Sequence, residues 1–329
     1  MPNLVDSHQR NFSYLRLSVT DRCNFRCIYC LPQGYVASDE MRESPELSVN
    51  EVRRLVHAFS RLGVTKVRLT GGEPTVRRDI VEIARAVASV EGIQKVALTT
   101  NGQRLSELAL PLREAGVNAI NVSVDSLDAQ KFKKITGSSR HQEILRGVDV
   151  ALKSGFESVK VNAVLLKDCN EGEVSGFMEW VRDRPISVRF IELMRTGKNG
   201  DFFGQRHLSA GVIQFNLLKS GWLPQKKETT DGPAVVYRHR DYEGSIGLIA
   251  PYSKDFCKGC NRLRVSSRAA LRLCLFGDQD VSLRSYLGDD SLQEDLLERI
   301  QDLVLEKPIS HYLHEGKYGN TWNLAGIGG

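Results

Sequence analysis

Short apolar, β-branched runs alternate with helix-periodic segments along the first two thirds of the chain. Runs at 14–20, 64–70, 95–100, 118–124, 158–165 and 187–193 predict strands. Apolar positions at helical spacing in 48–62, 79–90, 105–115, 144–153 and 173–182 predict helices between them. Ser48 with Glu51 three residues on forms a capping-box signature for the first helix. Gly63, Gly92, Gly116 and Gly155 fall near predicted helix ends, where C-cap geometry favours glycine. Six strands alternating with helices predict a parallel sheet with right-handed crossovers. Polar, chemistry-bearing segments follow the predicted strands, which favours a partial (β/α)6 barrel over an open Rossmann sheet.

The pattern changes after a break at 224–233, where Pro, Lys, Thr, Asp and Gly cluster. Strands are predicted at 234–240 and 245–250, then a cysteine-bearing segment at 257–274. Helical runs at 281–287 and 292–306 follow, the last ended by Pro308. The expected division is a barrel over 1–225 and a C-terminal α+β domain over 226–329.

Composition narrows the class. A chain of 329 residues with 41% hydrophobic and 26% charged residues excludes a disordered chain, a collagen and a coiled coil. It is long enough to bury a core without disulfides. No run approaches the 18 or so apolar residues of a membrane span, and the first residues lack a signal peptide's apolar stretch. The expectation is a cytoplasmic protein with no membrane partner. The net charge of +5 is uneven: residues 1–230 hold 33 basic and 26 acidic residues, and 231–329 hold 12 and 14. The segment 257–272 holds five basic residues and no acidic one.

Seven cysteines argue against a complete set of internal disulfides. They fall as two triplets and one isolated thiol, Cys169, which reads as ordinary. Cys23, Cys27 and Cys30 follow the first strand with spacing C-x3-C-x2-C. Three thiolates on a 4Fe–4S cubane leave one iron open to a small molecule. A zinc site completed from elsewhere, with His8 nearby, is the structural alternative. After the second strand comes Gly71-Gly72-Glu73-Pro74. Two glycines permit close backbone approach, and Glu73 is a candidate acceptor for an ammonium group.

Cys257, Cys260 and Cys274 give C-x2-C-x13-C, which suits zinc or an iron–sulfur cluster. His239, His311 and His314 are candidate fourth zinc ligands. Beside the thiols, Arg262 and Arg264 share one face if they lie in a strand. They then meet an anionic or polar-edged ligand, or solvent.

Strands of a parallel barrel should be nearly continuous apolar runs. Here Arg16, Lys66, Arg68, Lys160 and Arg189 interrupt them. An inward set of unpaired cations needs anions, either a bound triphosphate or acids such as Glu192. There is no G-x4-G-K-[ST] phosphate loop.

The first cysteine triplet, with Tyr29 before its last member, resembles the signature of radical S-adenosylmethionine (SAM) enzymes. In those enzymes the Gly-Gly-Glu-Pro element lies against the amino group of the methionine moiety. Two triplets, the run Cys260-Asn261-Arg262-Leu263-Arg264 and a terminal Gly328-Gly329 resemble the GTP 3′,8-cyclase family of molybdenum cofactor biosynthesis. The resemblance runs through the chain and is densest at 14–34, 64–79, 97–102, 120–127, 158–165, 188–197 and 255–277.

It implies a radical-SAM barrel, two 4Fe–4S clusters and SAM as cofactors, and GTP as substrate. Reductive cleavage of SAM yields a 5′-deoxyadenosyl radical that takes the 3′ hydrogen of GTP, and C3′ then closes on C8. SAM contacts are implied at Tyr29, Gly72, Ser123 and Met194, with Glu73. GTP contacts are implied at Arg16, Arg68, Thr99, Lys160, Arg262, Leu263 and Arg264, to which the strand pattern adds Lys66 and Arg189. The second cluster anchors guanine, and Gly328 and Gly329 reach toward the site. Asp125 and Asn101, at neighbouring strand ends, are candidate supports. The implied partners are an electron donor and the downstream cyclic pyranopterin monophosphate synthase, with no nucleic acid, in a monomer or homodimer. A peptide-modifying radical enzyme and a non-catalytic zinc- or cluster-bearing RNA binder are the competing readings.

Overall fold

The computed structural model describes residues 3–37, 44–226, 232–319, 321 and 325–327. The barrel portion runs β1 (Tyr14–Ser18), α1 (Val49–Arg61), β2 (Lys66–Thr70), α2 (Ile80–Ala88), β3 (Lys95–Thr100), α3 (Leu105–Glu114) and β4 (Ala119–Ser123). It continues through α4 (Ala129–Thr136), α5 (His141–Lys153), β5 (Ser158–Leu165), α6 (Val174–Trp180), β6 (Ile186–Glu192), α7 (Gly200–Arg206) and α8 (Ala210–Lys219). Then come β7 (Leu223–Pro224), β8 (Val235–Arg238), β9 (Ser245–Ile249), β10 (Arg262–Val265), β11 (Ala270–Arg272), β12 (Val281–Ser282) and α9 (Gln293–Leu305).

All twelve strands form one sheet in the order β12-β11-β10-β1-β2-β3-β4-β5-β6-β9-β8-β7. The six central strands are parallel and in chain order, as expected for a partial barrel. β10 joins them in parallel beside β1, and β9 in parallel beside β6. The last hundred residues therefore contribute to both flanks of the array.

Alternation decides what each face carries. In β5, Val159, Val161, Ala163 and Leu165 are buried, while Lys160, Asn162 and Val164 on the other face are partly accessible. The outward faces pack on helix stripes such as Val52, Leu55, Val56 and Phe59 of α1. Ser48 and Glu51 close the predicted capping box. Gly63, Gly92, Gly116 and Gly155 all take positive φ.

Two expectations are corrected. The helical run at 281–287 is instead β12, paired with β11, followed by a single 3₁₀ turn at Arg284–Tyr286. Its leucines, Leu283 and Leu287, are buried, and they mimic helical spacing. Helices α4, α7 and α8 were not expected. α4 buries only two large apolar residues, Phe132 and Ile135, too few to show a period. α7 opens on Gly200 and contains Gly204, and α8 exposes Val212, Phe215 and Leu218.

Candidate active site

The inward faces of the strands bound one large cavity reaching from the first cysteine triplet to the second. Its floor is cationic. Arg264, Arg16 and Arg68 stand opposite one another across β10, β1 and β2, so the three guanidiniums lie in one row. One layer along, Thr99, Asn121 and Lys160 stand side by side on β3, β4 and β5. Lys66, Arg189, Arg262 and Lys307 complete the lining cations. Arg68 is fixed by donating Nε to the Tyr14 hydroxyl and Nη1 to Thr99 Oγ1 at 3.0 Å.

This crowding shows in the protonation preferences. Burial, then Arg189, Arg68 and Lys66, bring Lys160 down to about 7. Burial and Arg262 lower Arg264 to about 10. Arg16 is pushed down by burial and by Arg264. Burial pushes the Tyr14 phenol up, but Arg68, Arg16 and Lys66 outweigh it and bring it to about 8. The lining carboxylates Glu73, Asp125 and Glu192 lie at or beyond the C-terminal ends of β2, β4 and β6, away from this floor. Glu192 pairs with His207 at 2.8 Å. A floor of this charge suits a polyanion.

The three implied residues of β10 divide by alternation. Arg262 and Arg264 line the cavity. Leu263 is fully buried in the outer core, so only its backbone is available to a ligand.

At the cavity mouth the first cysteine loop is stitched on two sides. Arg26 and Ile28 donate backbone N–H to the carbonyls of Thr136 and Ile135, each at 2.9 Å. Gly72 and Glu73 donate to the carbonyls of Thr20 and Arg22 at 2.9 and 2.7 Å. A Cβ on Gly71 would stand 2.3 Å from Thr20 O, and one on Gly72 2.3 Å from Arg22 O. Both glycines are therefore required by the close approach of these two loops.

Glu73 is buried, which raises its pKa against the pull of its donors. Its Oε1 accepts from Thr75 N, Thr75 Oγ1 and Thr100 Oγ1 at 3.0, 2.6 and 2.7 Å. Oε2 accepts from Asn101 N at 2.5 Å. Glu73 thus ties β2 to β3 as well as lining the cavity. Tyr29 donates its hydroxyl to Asp125 Oδ2 at 2.9 Å, and Asp125 Oδ1 accepts from Val164 N at 2.9 Å. Burial raises Asp125 to about 6. Asn101 donates to Asn24 inside the cysteine loop at 2.7 Å. Ser123 and Met194 line the same end.

All six triplet cysteines line the cavity, and all seven cysteines are free thiols. Burial raises Cys23 to about 11, and raises Cys27 with help from Asp125, Cys30 and Cys23. A centre that supplies positive charge suits such a set. In the second triplet, burial is outweighed by Arg262 and Lys307, which bring Cys260 down to about 7. Among the described residues no three His, Cys, Asp or Glu close around one metal ion. A single-ion site needs every ligand about 2.3 Å or less from one point, whereas a cubane gives each thiolate its own iron. Each triplet offers the three thiols that a cubane with one open iron takes.

Two of the candidate zinc histidines have partners of their own. His311 spends Nε2 on Pro251 O at 2.8 Å and Nδ1 on Leu313 N at 3.1 Å. His239 packs against Trp222 and Tyr242 with centroids 5.6 and 5.1 Å away.

Gly328 and Gly329 lie outside the described residues. Just before them, Ala325 lines the cavity and Ile327 O accepts from Arg264 Nη1 at 3.4 Å. Sequence reasoning missed Tyr14, Asn121 and Lys307. The first two lie two residues before Arg16 and Ser123 on the same strand faces, so alternation counted from those residues marks them. Lys307 follows the last helix and carries no sequence signal of its inward position.

The Radical SAM superfamily model matches residues 17–181, and the Molybdenum Cofactor Synthesis C model matches residues 186–313. A GTP 3′,8-cyclase of Vibrio atlanticus is 52% identical over 324 residues, covering 98% of this chain and 97% of its own. One of Yersinia pestis is 50% identical over 329 residues, covering both chains completely. Among solved structures, Streptococcus suis SuiB bound to S-adenosylmethionine shares the fold at 13% identity, with a TM-score of 0.62, covering 91% of this chain and 69% of that one. Identity of about one residue in two along the whole chain, with both family models in order, places this protein in the GTP 3′,8-cyclase family of the radical SAM superfamily.

Proposed function

We propose that this chain is a GTP 3′,8-cyclase, joining C3′ to C8 of GTP to give 3′,8-cyclo-7,8-dihydro-GTP in the first step of molybdenum cofactor biosynthesis. The observation that carries this reading is the single cavity with three thiols at one end, three at the other and a buried cationic floor between them.

Cys23, Cys27 and Cys30 would hold a 4Fe–4S cluster, whose chemistry when bound is the one-electron reductive cleavage of SAM. Tyr29, Gly72, Ser123 and Met194 would border that SAM, with Glu73 fixing the backbone beneath it. Arg16, Lys66, Arg68, Lys160, Arg189 and Arg264 would grip the triphosphate, and Thr99 would add a hydroxyl. Cys257, Cys260 and Cys274 would hold a second 4Fe–4S cluster, with Arg262 beside its thiolates and an open iron for guanine. Residues 1–225 would thus serve SAM and most of the triphosphate, and 226–329 would serve the base and add Arg264. The tail glycines Gly328 and Gly329 would close over the nucleotide. Rigid placement and exclusion of water do much of the work, because the ribose must be presented to a reactive partner in one orientation.

The electron comes from an external donor, and the product passes to cyclic pyranopterin monophosphate synthase. Among the described residues no helix is long and apolar enough to cross a membrane, which accords with a cytoplasmic enzyme. A peptide substrate would leave the cationic floor uncompensated, and an RNA ligand would not require six thiols in one cavity.

The test is metal and product analysis after anaerobic reconstitution. The proposal expects about eight irons with matching sulfide per chain and a cyclised nucleotide from GTP. Cys27→Ser should abolish SAM cleavage, while Cys260→Ser should keep uncoupled cleavage and lose the nucleotide product. About two zinc ions per chain without sulfide would overturn the proposal.

A further inference from the structure

We propose that Asn121 binds the 2′,3′-diol of the substrate's ribose and so orients the nucleotide; this rests on the GTP reading above. Asn121 is 1% exposed and lines the cavity. Neither its Nδ2 nor its Oδ1 has a hydrogen-bond partner. A buried carboxamide with both halves unsatisfied is costly, and native proteins retain such a group for a reason. Asparagine is also disfavoured inside a strand.

Its neighbours make no hydrogen bond to it. Lys160, beside it on β5, has donors only. Thr99, beside it on β3, already accepts from Arg68. The amide therefore calls for a ligand that donates and accepts at adjacent atoms. A phosphate oxygen satisfies only Nδ2, whereas a vicinal diol satisfies both halves.

The position agrees with the shape of the nucleotide. Asn121 lies two residues before Ser123 on one face of β4, about 6.6 Å deeper. Ser123 faces the SAM end and Lys160 the triphosphate floor. The ribose carries the reacting C3′ and links the guanine to the phosphates. An amide on the diol would leave C3′–H facing the cavity mouth.

The test uses anaerobically reconstituted holoenzyme and calorimetric affinities for GTP, 2′-deoxy-GTP and 3′-deoxy-GTP. In the wild type each missing hydroxyl should weaken binding about five- to tenfold. Asn121→Leu should bind all three with nearly equal affinity, and its free form should melt at or above the wild-type temperature. The proposal is overturned if the wild type does not discriminate. It is overturned equally if the variant weakens all three nucleotides by one common factor while still discriminating, or if the free variant melts lower. A wild type that binds none of the three overturns the GTP reading itself, and this proposal with it.

Discussion

Lys160 offers a quantitative test of the cationic floor. In the free protein its pKa is about 7, set by burial and by the like charges of Arg189, Arg68 and Lys66. A bound triphosphate reverses that balance and returns the ammonium toward its ordinary value of about 10.4. Binding must then draw in the proton that the free protein lacks. At pH 6, 7 and 8 the neutral fraction of a group at pKa 7 is about 0.1, 0.5 and 0.9, and proton uptake on binding follows those values. The γ-phosphate and Tyr14 titrate in the same region, so the quantity to read is wild type minus Lys160→Gln. Titration calorimetry in buffers of different ionisation enthalpy gives proton uptake directly. The sign is fixed: above pH 7 the wild-type affinity falls with pH, by up to about tenfold per unit more than the variant's. A difference that is zero at pH 8, or that grows toward pH 6, refutes the reasoning.

Three other perturbations follow. In the free protein the lowered Lys160 pKa means stability rises with pH above about 7, so Lys160→Met should raise the melting temperature most at pH 7 and below. Gly72→Ala puts a Cβ 2.3 Å from Arg22 O, so it should lower the melting temperature and cost the first cysteine triplet its iron while the second keeps its own, read by iron analysis. Arg10 is buried on Asp6 at 2.6 Å and donates to the carbonyls of Pro308, Ile309 and Cys257. Arg10→Met strands the Asp6 carboxylate and should cost about 3–5 kcal/mol in urea unfolding.

Periodicity made the barrel legible because its strands are short, β-branched and separated by helices with clear stripes. It failed where a stripe was too short, as in α4, or where two leucines mimicked helical spacing, as at Leu283 and Leu287. The site was legible for two reasons: cysteine spacing is local, and charges inside apolar runs break a rule. Lys160 and Arg68 were visible as exceptions to a pattern. Asn121 and Tyr14 carry no charge and stand out less, and only counting two residues back from Ser123 and Arg16 marks them. The glycine pair also has a second role. Sequence points to ligand approach, and Gly71 and Gly72 in addition meet the backbone of the cysteine loop closely. That loop lies about 50 residues earlier in the chain, and only the parallel pairing of β1 with β2 brings the two together.

The central claim is tested most directly with GTP deuterated at C3′, incubated anaerobically with reconstituted protein, SAM and a strong reductant. The account predicts that the deuterium leaves the nucleotide and appears in 5′-deoxyadenosine, together with a cyclised product. Deoxyadenosine free of deuterium beside unchanged GTP would contradict it.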